Sequence, residues 1–178
     1  MPQTGQAITL WHLVQEHEHE LRMPRDGADL AITLLDPSDV GSAQDLYRSV
    51  GGRWGWTGRL VWTNEQWSDW MNRPGLEIWV AKDAAGVDLG YAELVARDDA
   101  AVEILCFGLL PGHCGSGLGG RLLSAVTRRS WDMATRWLHL PPTATVTVTT
   151  CSTDHEAALP NYLARGFRIR STEEVSAE

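Results

Sequence analysis

No stretch of this sequence approaches the ~18 consecutive apolar residues that a membrane-spanning helix requires, so a helical membrane protein is excluded. Lysine is almost missing: Lys82 is the only one, and every other cationic side chain is arginine. We read that bias as gene composition, not function. Lys and Arg together number 15 against 23 Asp and Glu, a formal net charge of -8. Neutralising phosphates needs clustered cations, so neither nucleic acid nor an anionic membrane surface is an expected partner. Cysteine is scarce. Cys106, Cys114 and Cys151 make an odd set without CxxC spacing, which implies neither a disulfide framework nor a zinc knuckle. Such thiols pack as small hydrophobes, and a reducing cytoplasm is the expected location. The opening "MPQTGQAITLWHLVQEHEHE" lacks a basic leader and a long apolar core, so no secretory signal is expected. Its His17, Glu18 and His19 come without further ligands, so no metal is expected either.

What is present is a globular composition, 43% apolar and 21% charged over 178 residues, enough for one well-buried core. A single domain over residues 1–178 is expected, with 1–27 an extension able to add a strand. Residues 8–14 read as that strand, and "ADLAITLLD" as the next. In "DPSD", Asp36 suits a helix cap and Pro37 the first helical position. Val40, Ala43, Leu46, Tyr47 and Val50 follow at helical spacing up to Gly51-Gly52. Thr63 can cap a second short helix in a segment holding five tryptophans. Three β-like runs, "LEIWVAK", "VDLGYAELVA" and "AVEILCFGLL", are separated by turn signals and predict an antiparallel meander. Leu118, Leu122, Val126, Met133 and Trp137 predict one long helix. "ATVTVTT" alternates as a half-buried strand, "DHEAALPNYLARGF" reads as a helix closed by Gly166, and the tail offers one or two strands. This order predicts an α/β fold: a mixed, mostly antiparallel central sheet flanked by helices.

Between the third β-run and the long helix stands "LLPGHCGSGLGGRLL". Glycines at a strand-to-helix junction let backbone N–H groups approach a phosphate closely. "GSGLGG" satisfies GxGxxG, but it follows a meander, and no acid follows at the spacing a dinucleotide fold needs. No Lys-Ser/Thr follows the glycines, which excludes a P-loop, and kinase signatures are missing.

"FGLLPGHCGSGLGGRLL" resembles motif A of the GNAT superfamily, the acyl-CoA-dependent N-acetyltransferases. Leu109 and Pro111 stand in register, and Gly117 and Gly119 fill the two small positions. "NYLARGF", starting 42 residues after Gly119, resembles motif B through Tyr162, Gly166 and Phe167. Cys114 stands where Gln or Arg is usual, and His155 where Asn is frequent. "LYRSVGGRWGW" and "TCSTDHEAALPNYLARGF" also resemble a bacterial branch of that superfamily. The resemblance implies acetyl-CoA as co-substrate, bound by Phe107, Leu109, Cys114, Gly115, Ser116, Gly117, Leu118, Gly119, Gly120 and His155. It also implies a backbone N–H near Leu109 polarising the thioester carbonyl, with Gly108 permitting a bulge there.

Acyl transfer to an amine needs a neutral amine, a polarised carbonyl and a proton for the departing thiolate. Glu103, within an apolar strand and aligned with the glutamate base of histone-type members, is the base this implies. An exposed edge acid is the other reading, with a water chain doing the work. Tyr162 is the implied general acid, or else a core aromatic. Tyr47, Trp54, Trp56 and Arg59 either wall the acceptor site or pack. The expected activity is direct transfer of acetyl from acetyl-CoA to a primary amine of a small molecule or peptide. The departures at 114 and 155 keep open a catalytically weak CoA-binding regulatory or interaction module. The acceptor and the oligomeric state, a homodimer included, stay open.

Overall fold

The structure, a computed structural model, describes residues 7–25 and 30–176. Seven strands form one sheet in the order β2-β3-β4-β5-β6-β1-β7. They are β1 (Ala7–Gln15), β2 (Ile32–Leu34), β3 (Leu76–Lys82), β4 (Asp88–Ala96), β5 (Ala101–Leu109), β6 (Thr145–Cys151) and β7 (Arg168–Ser176). Helices α1 (Val40–Gly51) and α2 (Asn64–Met71) cover one face; α3 (Leu118–Trp131) and α4 (Ala158–Ala164) cover the other. Strands β3, β4 and β5 form the antiparallel meander that their turn signals predict. Among the described residues one pair is parallel, β5 with β6. The first strand is no appendage: β1 lies between β6 and β7 and pairs antiparallel with both.

Each face of the sheet carries its own core. Val102, Ile104, Leu94 and Ala92 point to α3 and meet Leu122, Leu123 and Val126. Tyr91, Val95, Val80 and Ile78 point the other way and meet Leu46, Val50, Trp67 and Met71. Alternate residues of β3 and β4 therefore serve opposite cores, which explains why both strands read as nearly unbroken apolar runs. Two acids interrupt those runs. Glu77, buried to 3% exposure, accepts from Nε and Nη2 of the Arg136 guanidinium and from the indole N–H groups of Trp79 and Trp137. Glu93, at 1%, accepts from Arg59 Nη1 at 2.8 Å and Trp70 Nε1 at 2.6 Å.

Local differences from the sequence expectation have identifiable causes. Asp36 turns back onto Ser38, and it is Asp39 that caps α1, accepting from the Ser42 N–H at 3.1 Å. The Ser38 and Ser42 hydroxyls, donating to Asp36 and Asp39, and then the backbone N–H bonds hold both carboxyls below the usual Asp range. Thr63 caps α2 as expected, in a reciprocal box with Gln66. The run "ADLAITLLD" yields only the short β2, with Ala28 and Asp29 outside the described residues. The long helix stops at Trp131 and passes into a short 3₁₀ turn at Met133–Thr135. There the Thr135 hydroxyl takes the Asp132 carbonyl and Arg136 takes that of Arg129, so side chains claim acceptors that further helix would use. Met133 and Trp137 still face the core from this turn.

Candidate functional site

Strands β5 and β6 run side by side only from Ala101–Ile104 against Thr145–Val148. Beyond Ile104, β5 stays paired with β4 while β6 follows β1, and the sheet opens between them. A register shift marks the departure: Cys106 faces Glu93 and Ile104 faces Leu94, which leaves Leu105 as the extra residue of a bulge. The bulge is therefore at Leu105 and not at Gly108, as the sequence suggested. Gly108 pairs regularly with Tyr91, and its missing side chain admits Val50, whose Cγ1 would lie 2.5 Å from an added Cβ.

A cavity of about 570 Å³ fills this opening and passes through the sheet. At the α3 end it is lined by Cys114, Gly115, Gly117, Gly119, Gly120 and Asn161. Ile104, Phe107, Leu109, Val148, Thr149 and Tyr162 form its middle. Val50, Trp54, Trp56, Leu105 and Gly108 line the end that faces α1 and the following loop.

The glycine loop owes its shape to backbone conformations that favour glycine. Gly112, Gly115 and Gly117 have φ of +91°, +84° and +77°, and an added Cβ at any of them meets nothing within 4 Å. Gly117 is the N-cap of α3 and offers no side-chain acceptor. The first-turn N–H groups and the positive end of the helix dipole are thus directed at the cavity, an arrangement that suits an anion. Ser116 does not line the cavity; its hydroxyl donates to the His113 carbonyl at 2.8 Å and stiffens the loop. Leu118 packs against the core behind it.

Tyr162 stands midway along the cavity, its ring meeting Phe107 and Phe167 at centroid distances of 6.0 and 6.1 Å. Burial, then the Asp154 carboxylate and Cys106, push its phenol well above the usual range, so the hydroxyl remains protonated. His155 Nδ1 accepts from the Ala157 N–H at 3.0 Å. A neutral ring must then carry its proton on Nε2 and present a donor, not a base. Asp154 Oδ2 accepts from the Thr150 hydroxyl and the Cys151 N–H.

Of the expected site residues, Phe107, Leu109, Cys114, Gly115, Gly117, Gly119, Gly120, His155, Tyr162, Trp54 and Trp56 come together around one cavity. Glu103, Tyr47 and Arg59 do not line it. Glu103 precedes the opening, on the paired part of β5, where Arg97 Nε donates to it at 2.6 Å. Its side chain is 24% exposed and ion-paired, so it does not have the apolar surroundings that its strand suggested. Tyr47 lies in the core, its hydroxyl held by the Arg59 backbone. The Arg59 guanidinium sits over the rings of Tyr47, Trp62, Trp67 and Trp70 and is paired with Glu93, turned from the cavity. Sequence reasoning missed Asn161 and Asp154. Asn161 directly precedes Tyr162 and approaches Gly119 and Gly120; its place beside a motif residue was the available signal. Among the described residues no group of His, Cys, Asp or Glu could hold a metal, and no helix is long and apolar enough to cross a membrane.

Solved structures of similar shape include a GCN5-related N-acetyltransferase from Sphaerobacter thermophilus, with TM-score 0.65 and 12% identity over 98% of this chain and 53% of that one. Another, from Kribbella flavida, has TM-score 0.59 and 15% identity over 92% of this chain and 55% of that one. A functionally unknown conserved protein from Staphylococcus epidermidis gives TM-score 0.62 and 18% identity over 95% and 60%. This chain thus spans little more than half the length of these structures, and at such identities the likeness shows the fold alone. No curated protein matches the sequence. The model of the Acetyltransferase (GNAT) family matches residues 42–167, from within α1 through Phe167 and so across both glycine-bearing motifs. The chain belongs to the GNAT acetyltransferase family.

Proposed function

We propose that this chain transfers an acetyl group from acetyl-CoA to a primary amine, directly and with both substrates bound. The observation that carries the proposal is the continuity of one cavity from an uncapped helix N-terminus, past a buried tyrosine, to a tryptophan-lined mouth. The residues present fit acetyl-CoA. The N–H groups of Gly115, Gly117 and the first turn of α3 would hold its pyrophosphate. The pantetheine arm would follow β5 from Leu109 towards Leu105, where alternate backbone groups face the opening because β6 has departed. The co-substrate supplies an activated thioester. One N–H of this exposed β5 edge would polarise the acyl carbonyl, and Tyr162, kept protonated by burial, would give its proton to the departing sulfur.

The amine must shed a proton before or during attack. Glu103 is outside the cavity and engaged by Arg97, so we assign that proton to water at the tryptophan-lined mouth rather than to Glu103. The test is twofold. CoA should raise the melting temperature, since a ligand at a hundred times its Kd adds about 2.7 kcal/mol, and NAD should do much less. Gly117→Val should abolish the CoA shift, its side chain occupying the phosphate position. Acetyl-CoA should then release thiol in the presence of an amine. Equal stabilisation by NAD with no response to CoA would overturn the proposal.

A further inference from the structure

The α1-facing end of the cavity has a chemistry that selects among amines. Its walls are Val50, Trp54, Trp56, Leu105 and the backbone of Gly108. Among the described residues none of the side chains at this end is charged. Arg53, next to Trp54 in the sequence, is exposed and does not line the cavity, and Arg59 is spent on Glu93 beneath four aromatic rings, its side chain 11% exposed. Among the described residues one carboxylate lines the cavity, Asp154, and its Oδ2 already accepts two hydrogen bonds.

Charge counting follows from this. A polyamine or an aminoglycoside brings several ammonium groups, and all but one would lie against aromatic and aliphatic walls without a partner, a costly desolvation. An amino acid would bring a carboxylate to a cavity whose described lining holds neither Arg nor Lys. A single amine on an apolar body leaves nothing unpaired.

The walls are also shaped for a flat group. Trp56 is wedged between Tyr47 and Tyr91, with ring centroids 5.6 and 6.5 Å away, and an added Cβ on Gly51 would come within 2.3 Å of it. It cannot swing aside. Trp54 reaches across the mouth to meet His155 edge-on at 5.5 Å, joining the loop after α1 to the loop before α4. Two indoles held by packing offer a preorganised surface to an aromatic ring.

Resting on the acetyltransferase reading above, we propose that the acceptor is a monoamine carried on an apolar, aromatic-sized body, an arylalkylamine in chemical class. The balance is that of acyl transfer: the amine nitrogen bonds to the acyl carbon, the carbon–sulfur bond breaks, the thiolate takes the Tyr162 proton, and the proton that the amine gives to water is returned to the Tyr162 phenolate. The experiment compares 2-phenylethylamine and tryptamine with spermidine, kanamycin and lysine in a thiol-release assay with acetyl-CoA. kcat/KM for the two arylalkylamines should exceed that for the polycations and lysine by at least about tenfold, the scale of one buried ring. Trp54→Ala should raise KM for 2-phenylethylamine about tenfold and leave the thermal shift by CoA unchanged. Preference for spermidine, kanamycin or lysine, or an unaltered KM in Trp54→Ala, would overturn the inference. A missing CoA shift would instead overturn the acetyltransferase reading. Should CoA bind without turnover, tryptophan quenching of the CoA-saturated protein ranks the same amines. Tighter binding of 2-phenylethylamine supports the inference, and tighter binding of a polycation or no binding at all defeats it.

Discussion

Replacing Arg59 with methionine removes one half of a buried ion pair while keeping much of the side chain's length. In the folded protein the Glu93 carboxylate is 1% exposed and receives Arg59 Nη1 at 2.8 Å. The variant leaves that carboxylate with the Trp70 N–H and the Cys106 thiol as neutral partners in an otherwise largely apolar core. Removing one partner of such a pair costs about 3–5 kcal/mol, and loss of the guanidinium from its aromatic cage adds to this. For a chain of this size each kcal/mol moves the melting temperature by about 2–4 °C, so a fall of roughly 6–20 °C is expected. Urea unfolding of Arg59→Met, Glu93→Gln and the double variant completes the measurement. If the damage comes from stranding a charge, the double variant should be more stable than Arg59→Met alone. The loop between α1 and α2 should also loosen, raising KM for the amine while sparing the CoA thermal shift. A loss below about 1 kcal/mol in Arg59→Met, the range of exposed pairs, would refute the claim that this pair is sealed from water.

Tyr162→Phe keeps the ring contacts and deletes the donor, so kcat should fall about 10²-fold with little change in CoA affinity, as steady-state kinetics would show. Because burial raises the Tyr162 phenol, the acid form persists upward in pH; the wild-type rate should show no loss from Tyr162 ionisation below about pH 10. Glu103→Gln should leave the pH–rate profile overlaying that of the wild type and cost no more than an exposed ion pair, about 0–1 kcal/mol; a rate deficit at neutral pH that recovers with rising pH would make Glu103 the base after all. Gly166→Ala should be among the most destabilising single methyl additions, since φ is +95° and the new Cβ would lie 1.8 Å from the Glu20 carbonyl oxygen; unfolding within about 1 kcal/mol of the wild type would show that the contact between the turn after α4 and the segment after β1 yields easily.

What the sequence disclosed was local. Thr63 with Gln66 marks a cap, alternation marks β6, and the glycines from 115 to 120 mark the α3 end of the cavity, because each depends on neighbours a few residues away. Other features are long-range and left no trace. The partner of Arg59 is 34 residues off on another element, so the side chain reads as a free cation until the fold pairs it. Glu103 reads as an acid in an apolar strand because nothing in the string shows Arg97 folding back from the preceding turn. The Leu105 bulge arises from a mismatch between two strands and belongs to neither. Asp36 and Asp39 compete for one cap, and three residues decide which of them wins.

The position of β1 has a consequence for the order of folding events. Its neighbours, β6 and β7, come from residues 145–151 and 168–176, so β1 emerges from the ribosome with no partner until the meander and α3 have followed. At ~5–20 residues per second this leaves it unpaired for many seconds. The meander and its helices can assemble by local contacts; closing the far side of the sheet requires a loop spanning most of the chain, a slow step on entropic grounds. Docking of β1 is thus expected late, and it brings β7 into the sheet with it. A fusion or deletion at the N-terminal side that hampers β1 would therefore show its effect at the opposite end of the chain, as a C-terminal strand left without a partner.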